Sequence, residues 1–172
     1  MTDSTLTIQQ ADSAAREVAS DLLRRYFAEE GFALGDASTP HAALAALLDD
    51  PRAAVLLAYL SGAAGEAAGI ATVTWTASAA YVRSAEIAEL YVRPQARGRG
   101  VATALVEAAV AWARERGCTV CRLAVSPDGE LSHGVTGFFA ARGFGDDYRR
   151  VLVRDLGDAG PGGKPNTAED TP

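Results

Sequence analysis

The run from Gln95 to Ala102, Q-A-R-G-R-G-V-A, joins an apolar, strand-like segment to an amphipathic, helix-like one through two glycines and two arginines. Such a turn delivers the chain into a helix whose first backbone N–H groups have no partner within the helix. The helix macrodipole adds partial positive charge at the same end. Glycines open the main chain to close approach, and arginines add charge-assisted hydrogen bonds. Gln95, Ala96, Arg97, Gly98, Arg99, Gly100, Val101 and Ala102 are therefore a candidate pyrophosphate site.

The glycine spacing excludes two common phosphate binders. A P-loop needs G-x-x-x-x-G-K-[ST], and no Lys follows these glycines. A dinucleotide fingerprint needs Gly or Ala three residues after Gly100, where Thr103 stands. A pattern that does fit is Q/R-x-x-G-x-G/A, as Gln95, Gly98 and Gly100.

The flanks supply context. Ala85–Val92 reads as a strand closed by Pro94. Val101, Leu105, Ala108 or Ala109, and Trp112 then recur at helical spacing, and Gly117 ends that helix. Thr119–Val125 reads as a second strand, followed by a polar loop. A helix then ends at the Gly143-Phe144 pair, and Tyr148–Val153 is strand-like. Upstream, Leu6–Gln10, Val55–Leu60 and Ala67–Trp75 read as strands, and Ser13–Glu30 and Ala42–Leu48 as helices.

This order, with the Gln95–Gly100 motif, resembles the acetyl-CoA-binding half of the GNAT family of N-acetyltransferases over roughly residues 50 to 156. The resemblance implies an α/β GNAT fold: a mixed, mostly antiparallel central sheet, helices on both faces, and a splayed strand pair holding the acyl-CoA. It implies one domain over residues 1–156. Residues 157–172, rich in Gly, Pro, Asp and Thr, read as a disordered tail.

The same resemblance implies acetyl-CoA as co-substrate and a primary amine as acceptor, with direct attack in a ternary complex. Leu90, Tyr91 and Val92 would hold the pantetheine arm, and a main-chain N–H, that of Val92 by analogy, would face the thioester oxygen. Glu89 and Glu86 are the candidate bases for deprotonating the amine. They lie three apart, so a regular strand turns them to opposite faces unless a bulge intervenes. The chain departs from the family at the leaving-group acid, because Phe139 stands where many members have Tyr, and Ser132 where Asn is common. Both remain candidate cofactor contacts; Tyr148, Tyr91 or water is left to protonate the thiolate. The acceptor site would draw on Tyr26, Glu29, Glu30, Trp75 and Tyr81, carboxylates and aromatics that suit a small cationic amine.

Composition narrows the partners. A net charge of −6 with a single Lys, Lys164, argues against nucleic acid. No apolar run reaches a membrane span and no signal sequence leads the chain, so the expected location is cytoplasmic. Cys118 and Cys121 form C-x-x-C, but with only His41 and His133 in the chain they read as reduced strand thiols, not a metal site. Similar domains dimerise frequently, so a homodimer is expected. Two alternatives stay open: a degenerate domain that binds acetyl-CoA as a sensor or assembly module, and an acyltransferase using another acyl-CoA or a protein acceptor.

Overall fold

The apolar run A-A-V-L-L-A-Y-L forms strand β2 (Ala53–Leu60), buried on both faces almost throughout. Such a strand lacks polar alternation because helices cover it from both sides. The structure, a computed structural model, describes residues 5–31, 38–61, 66–147 and 151–152. Around β2 the other strands are β1 (Leu6–Gln10), β3 (Ala67–Ser78), β4 (Val82–Val92) and β5 (Val120–Leu123). They form one sheet in the order β1-β2-β3-β4-β5. The first four pair antiparallel, and β4 pairs β5 in parallel.

Helices α1 (Arg16–Glu29) and α2 (Ser38–Asp49) cover one face, where Leu22, Leu23 and Leu44 pack on Val55, Leu57, Ile70 and Tyr91. Helix α3 (Val101–Glu115) covers the other, seating Val101, Leu105, Val106 and Trp112 against Leu56, Val73, Ile87 and Val92. The apolar stripe read from the sequence is the buried stripe of α3. The mostly antiparallel sheet with helices on both faces is thus as the resemblance implied.

Two irregularities in β4 position the site. Its pairing with β5 runs only from Ser84↔Val120 to Ile87↔Leu123, after which β4 continues to Val92 paired with β3 alone. This is the splayed pair. On the other edge, Thr72 faces Glu89 while Val73 faces Ile87, so Ala88 is the extra residue of a β-bulge.

The segment after β5 differs from expectation. Residues 127–133, read as polar loop, form helix α4 (Pro127–His133), because Ser126 accepts the Gly129 N–H at 3.0 Å and Pro127 suits a first helical position. Gly134, at φ 58°, turns the chain into α5 (Val135–Ala140). Strand β5 is shorter than the expected 119–125, and Val125 is exposed. Of the strand expected at 148–153, only 151–152 are described and carry no regular structure; the tail lies outside the described residues.

Gly69 sets how closely α3 approaches the sheet. A Cβ there would lie 2.6 Å from the Tyr91 carbonyl oxygen and 3.2 Å from both Leu105 Cδ1 and Val101 Cγ1. Gly69→Ala is expected to cost about 2 kcal/mol through overpacking. In thermal unfolding that corresponds to a Tm lower by about 4–8 °C.

Candidate active site

Where β4 leaves β5, a cleft of about 760 Å³ opens between the end of β4, the turn before α3, the C-terminal end of α1, and α4 with α5. Its floor includes Leu90, Tyr91 and Val92. Arg93 donates its N–H to Ala68 of β3 at 2.9 Å. Strand alternation therefore turns the Val92 N–H the other way, into the gap that β5 has vacated.

The turn provides an anion cradle. Gly98 and Gly100 have φ of 71° and 81°, the left-handed region, and among the described residues nothing lies within 4 Å of where their Cβ atoms would be. Gly100 caps α3 without a side chain, so the first-turn N–H groups from Val101 onward face the cleft unoccupied by any capping oxygen. Ala96, Arg97, Gly98, Gly100, Val101 and Ala102 line the cleft. Gln95 and Arg99 are exposed beside it and are not part of the lining. Pyrophosphate fits this cradle on main-chain grounds: open space, free donors, a positive helix end.

Arg97 lines the cleft but is engaged within the protein. Its guanidinium folds back, donating through Nε to the Val92 carbonyl at 3.0 Å and through Nη2 to Glu29 Oε1 at 2.5 Å. It also lies 6.0 Å from the centre of the Tyr91 ring. The ion pair links the glycine turn to α1, and both side chains are partly exposed.

The bulge at Ala88 decides the geometry of the two glutamates. Glu86 faces Thr74 and Glu89 faces Thr72, residues two apart on β3 and so on one face. Both carboxylates therefore point to the α1 side, despite a spacing that would separate them in a regular strand. Glu86 is exposed; Glu89 is largely buried. Thr72, itself 1% exposed, donates its hydroxyl to the Glu89 carboxylate and accepts the Glu89 backbone N–H at 3.2 Å. Burial pushes the Glu89 carboxyl above the usual range; the Thr72 hydrogen bond opposes that, and the charge of Glu86 adds to it. On α1, Tyr26 is pushed up to about 12, mainly by burial and further by Glu30 and Glu89, so its phenol stays protonated at neutral pH.

Tyr26, Glu29 and Glu30 line the cleft. Glu30 also accepts a hydrogen bond from Ser126 at 3.2 Å, tying α1 to the start of α4. Trp75 and Tyr81 are not brought there. Trp75 packs on the α3 side under Arg83, whose guanidinium is 4.5 Å from the ring centre. Tyr81 lies in the β3–β4 turn, where its carbonyl accepts from Thr119 Oγ1 at 2.9 Å. Ser132 and Phe139 line the cleft, and Phe139 packs edge-on against Phe138 and Phe144. Tyr148 lies outside the described residues.

Several lining residues escaped the sequence reading: Gly31, Thr103, Gly129, His133, Phe138 and Arg142 among them. Thr103 sits in the first turn of α3, and Arg142 immediately precedes Gly143, so both adjoin motifs that were recognised. Cys118 and Cys121 are free thiols, both partly buried; Cys121 lies in β5, where burial raises it to about 11, whereas Cys118 precedes the strand. Among the described residues no His, Cys, Asp and Glu group forms a metal site, and no helix is long and apolar enough to cross a membrane.

Comparison with known proteins places the chain in a family. The sequence model of the acetyltransferase (GNAT) family matches residues 16–144. The chain belongs to the GNAT family, the acetyl-CoA-dependent N-acetyltransferases. It is 47% identical over 70 residues to an aminoglycoside N(6')-acetyltransferase type 1 of Klebsiella aerogenes, a match spanning 39% of this chain and 45% of that relative. An aminoglycoside N-acetyltransferase solved with CoA superposes with a TM-score of 0.73 at 22% identity, over 89% of this chain and 96% of that one. A ribosomal-protein-alanine N-acetyltransferase from Brucella melitensis biovar Abortus 2308 superposes with a TM-score of 0.67 at 19% identity, over 88% of this chain and 100% of that one. At these identities the structural likeness speaks for the fold.

Removing the Thr72 hydroxyl is expected to raise the Glu89 carboxyl further, because the lost hydrogen bond favours the charged form. Should the activity titrate with Glu89, Thr72→Val is expected to move the acidic limb of the kcat/KM profile to higher pH, and Thr72→Ser to leave it near the wild-type position. An unmoved limb in Thr72→Val would detach Thr72 from the titrating group.

Proposed function

We propose that this protein transfers the acetyl group of acetyl-CoA to the primary amine of a small cationic molecule, by direct attack within a ternary complex. The observation that carries this reading is the bulge at Ala88, which sets Glu89 on the α1 face, one residue from the cleft-lining Leu90. Glu89 takes the proton from the acceptor ammonium, directly or through water. A carboxyl raised by burial is better matched to that task near neutral pH than an ordinary one. The freed nitrogen attacks the thioester carbon, the Val92 N–H stabilises the oxygen as negative charge develops on it, and the nitrogen sheds its extra proton to water as the amide forms. The C–S bond then breaks, and the CoA thiolate leaves to be protonated by solvent, since Phe139 carries no transferable proton.

The acceptor is argued from charge. Glu29, Glu30 and Glu86 give this side of the molecule carboxylates to attract a polycation, with Tyr26 and Tyr91 supplying aromatic faces. Aminoglycosides and polyamines have this chemistry, and the Klebsiella aerogenes relative is named for the former.

A second reading is favoured by Phe139 and Ser132: an acetyl-CoA-binding module without turnover. Release of CoA thiol from acetyl-CoA across aminoglycosides, polyamines, aminosugars and basic peptides separates the two. Amine-dependent release is expected, with Glu89→Gln lowering kcat/KM by about 10²–10⁴-fold and Glu86→Gln far less. Silence across the panel, with acetyl-CoA still raising the Tm, would favour the binding module. Silence with no Tm shift would overturn the acetyl-CoA reading itself.

A further inference from the structure

The wall of the cleft that faces the glycine turn carries a cation with unusual surroundings. Arg142 follows α5, and its guanidinium lies flat against Phe138, 3.6 Å from the ring centre. It donates through Nη1 to the Phe138 carbonyl and through Nη2 to the Thr103 hydroxyl. Its Nε is buried and has no hydrogen-bond partner among the described residues. Arg142, Phe138 and Thr103 all line the cleft.

Each of these contacts is with a neutral group. A guanidinium forms stronger hydrogen bonds with anionic oxygens than with a hydroxyl or a carbonyl, and its planar fork suits two phosphate oxygens at once. Thr103 belongs to the first turn of α3, the helix end left open by Gly100. Arg142 is therefore held beside the anion cradle, pre-oriented by stacking, with donor capacity to spare. The arginine that the motif placed there, Arg97, is engaged by Glu29 and the Val92 carbonyl instead.

We propose that Arg142 is a ligand of the cofactor pyrophosphate, reaching it from the turn after α5, opposite the glycine turn, and exchanging the Thr103 hydroxyl for phosphate oxygens. This rests on the cleft being the acetyl-CoA site. It gives the turn after α5 a role beyond lining the cleft: the phosphate becomes a bridge between that turn and the first turn of α3.

The test compares wild type, Arg142→Gln and Arg142→Lys for binding of CoA, of dephospho-CoA, which lacks only the 3'-phosphate, and of pantetheine, which lacks pyrophosphate and nucleotide. Pantetheine is read by competition at millimolar concentration. Arg142→Gln is expected to weaken CoA and dephospho-CoA by the same factor, about 10–100-fold, leaving pantetheine unchanged. Arg142→Lys recovers part of the loss, and raising salt narrows the gap between wild type and Arg142→Gln. Equal weakening of all three ligands would reduce Arg142 to a structural role and overturn the proposal. A loss for CoA but not dephospho-CoA would move the contact to the 3'-phosphate and overturn the pyrophosphate assignment, as would no change at all. Failure of wild type to bind CoA would instead defeat the reading of the cleft, a distinct outcome.

Discussion

The chemistry of this molecule depends on β4 keeping its partner β3 while losing β5 after Ile87. A strand that stays paired on one edge is held rigidly, so its free edge presents N–H and C=O groups in fixed directions. Those groups are normally a liability, because unpaired backbone invites another strand or stays wet. Here they face a cleft bounded by α1, α4 and α5. The same divergence makes room for the glycine turn, whose open helix end points into the cleft. One broken ladder thus creates both the backbone donors and the anion cradle. The close seat of α3 on Gly69 holds the two in register.

The bulge at Ala88 adds the side-chain chemistry. Without it, Glu86 and Glu89 would sit on opposite faces, and one of them would be driven under α3 among Val73, Ile87 and Leu105. A charged group in that layer would have to be neutralised or expelled. With it, both carboxylates share the α1 face, and Thr72 finds a partner for a hydroxyl otherwise buried in an apolar sheet.

What the sequence made legible was whatever is written in local spacing. The motif Gln95–Gly100, the α3 stripe from Val101 to Trp112 and the strand pattern around it are short-range signals, and the folded chain agrees with them. The helix over Pro127–His133 was missed because its signal, Ser126 with Pro127, sits in a polar stretch with no apolar stripe. The parity of the two glutamates was not legible, because a bulge is a property of pairing between strands. Thr72 and Arg142 were missed for the same reason: each meets its partner across 17 and 39 residues respectively. Trp75 and Tyr81, chosen for their chemistry, lie elsewhere because aromatic character alone does not say which face of the sheet a strand residue joins.

The ion pair between Arg97 and Glu29 spans the cleft, one end on the glycine turn and the other on α1. Charges joined in this way are not independent reservoirs. A phosphate that draws on Arg97 leaves Glu29 more negative for a cation, and a cation held by Glu29 leaves Arg97 freer for a phosphate. Thermodynamic reciprocity makes the two effects equal in size. Two ligands that never touch through this pair would still stabilise each other's binding, and the magnitude would shrink as ionic strength rises.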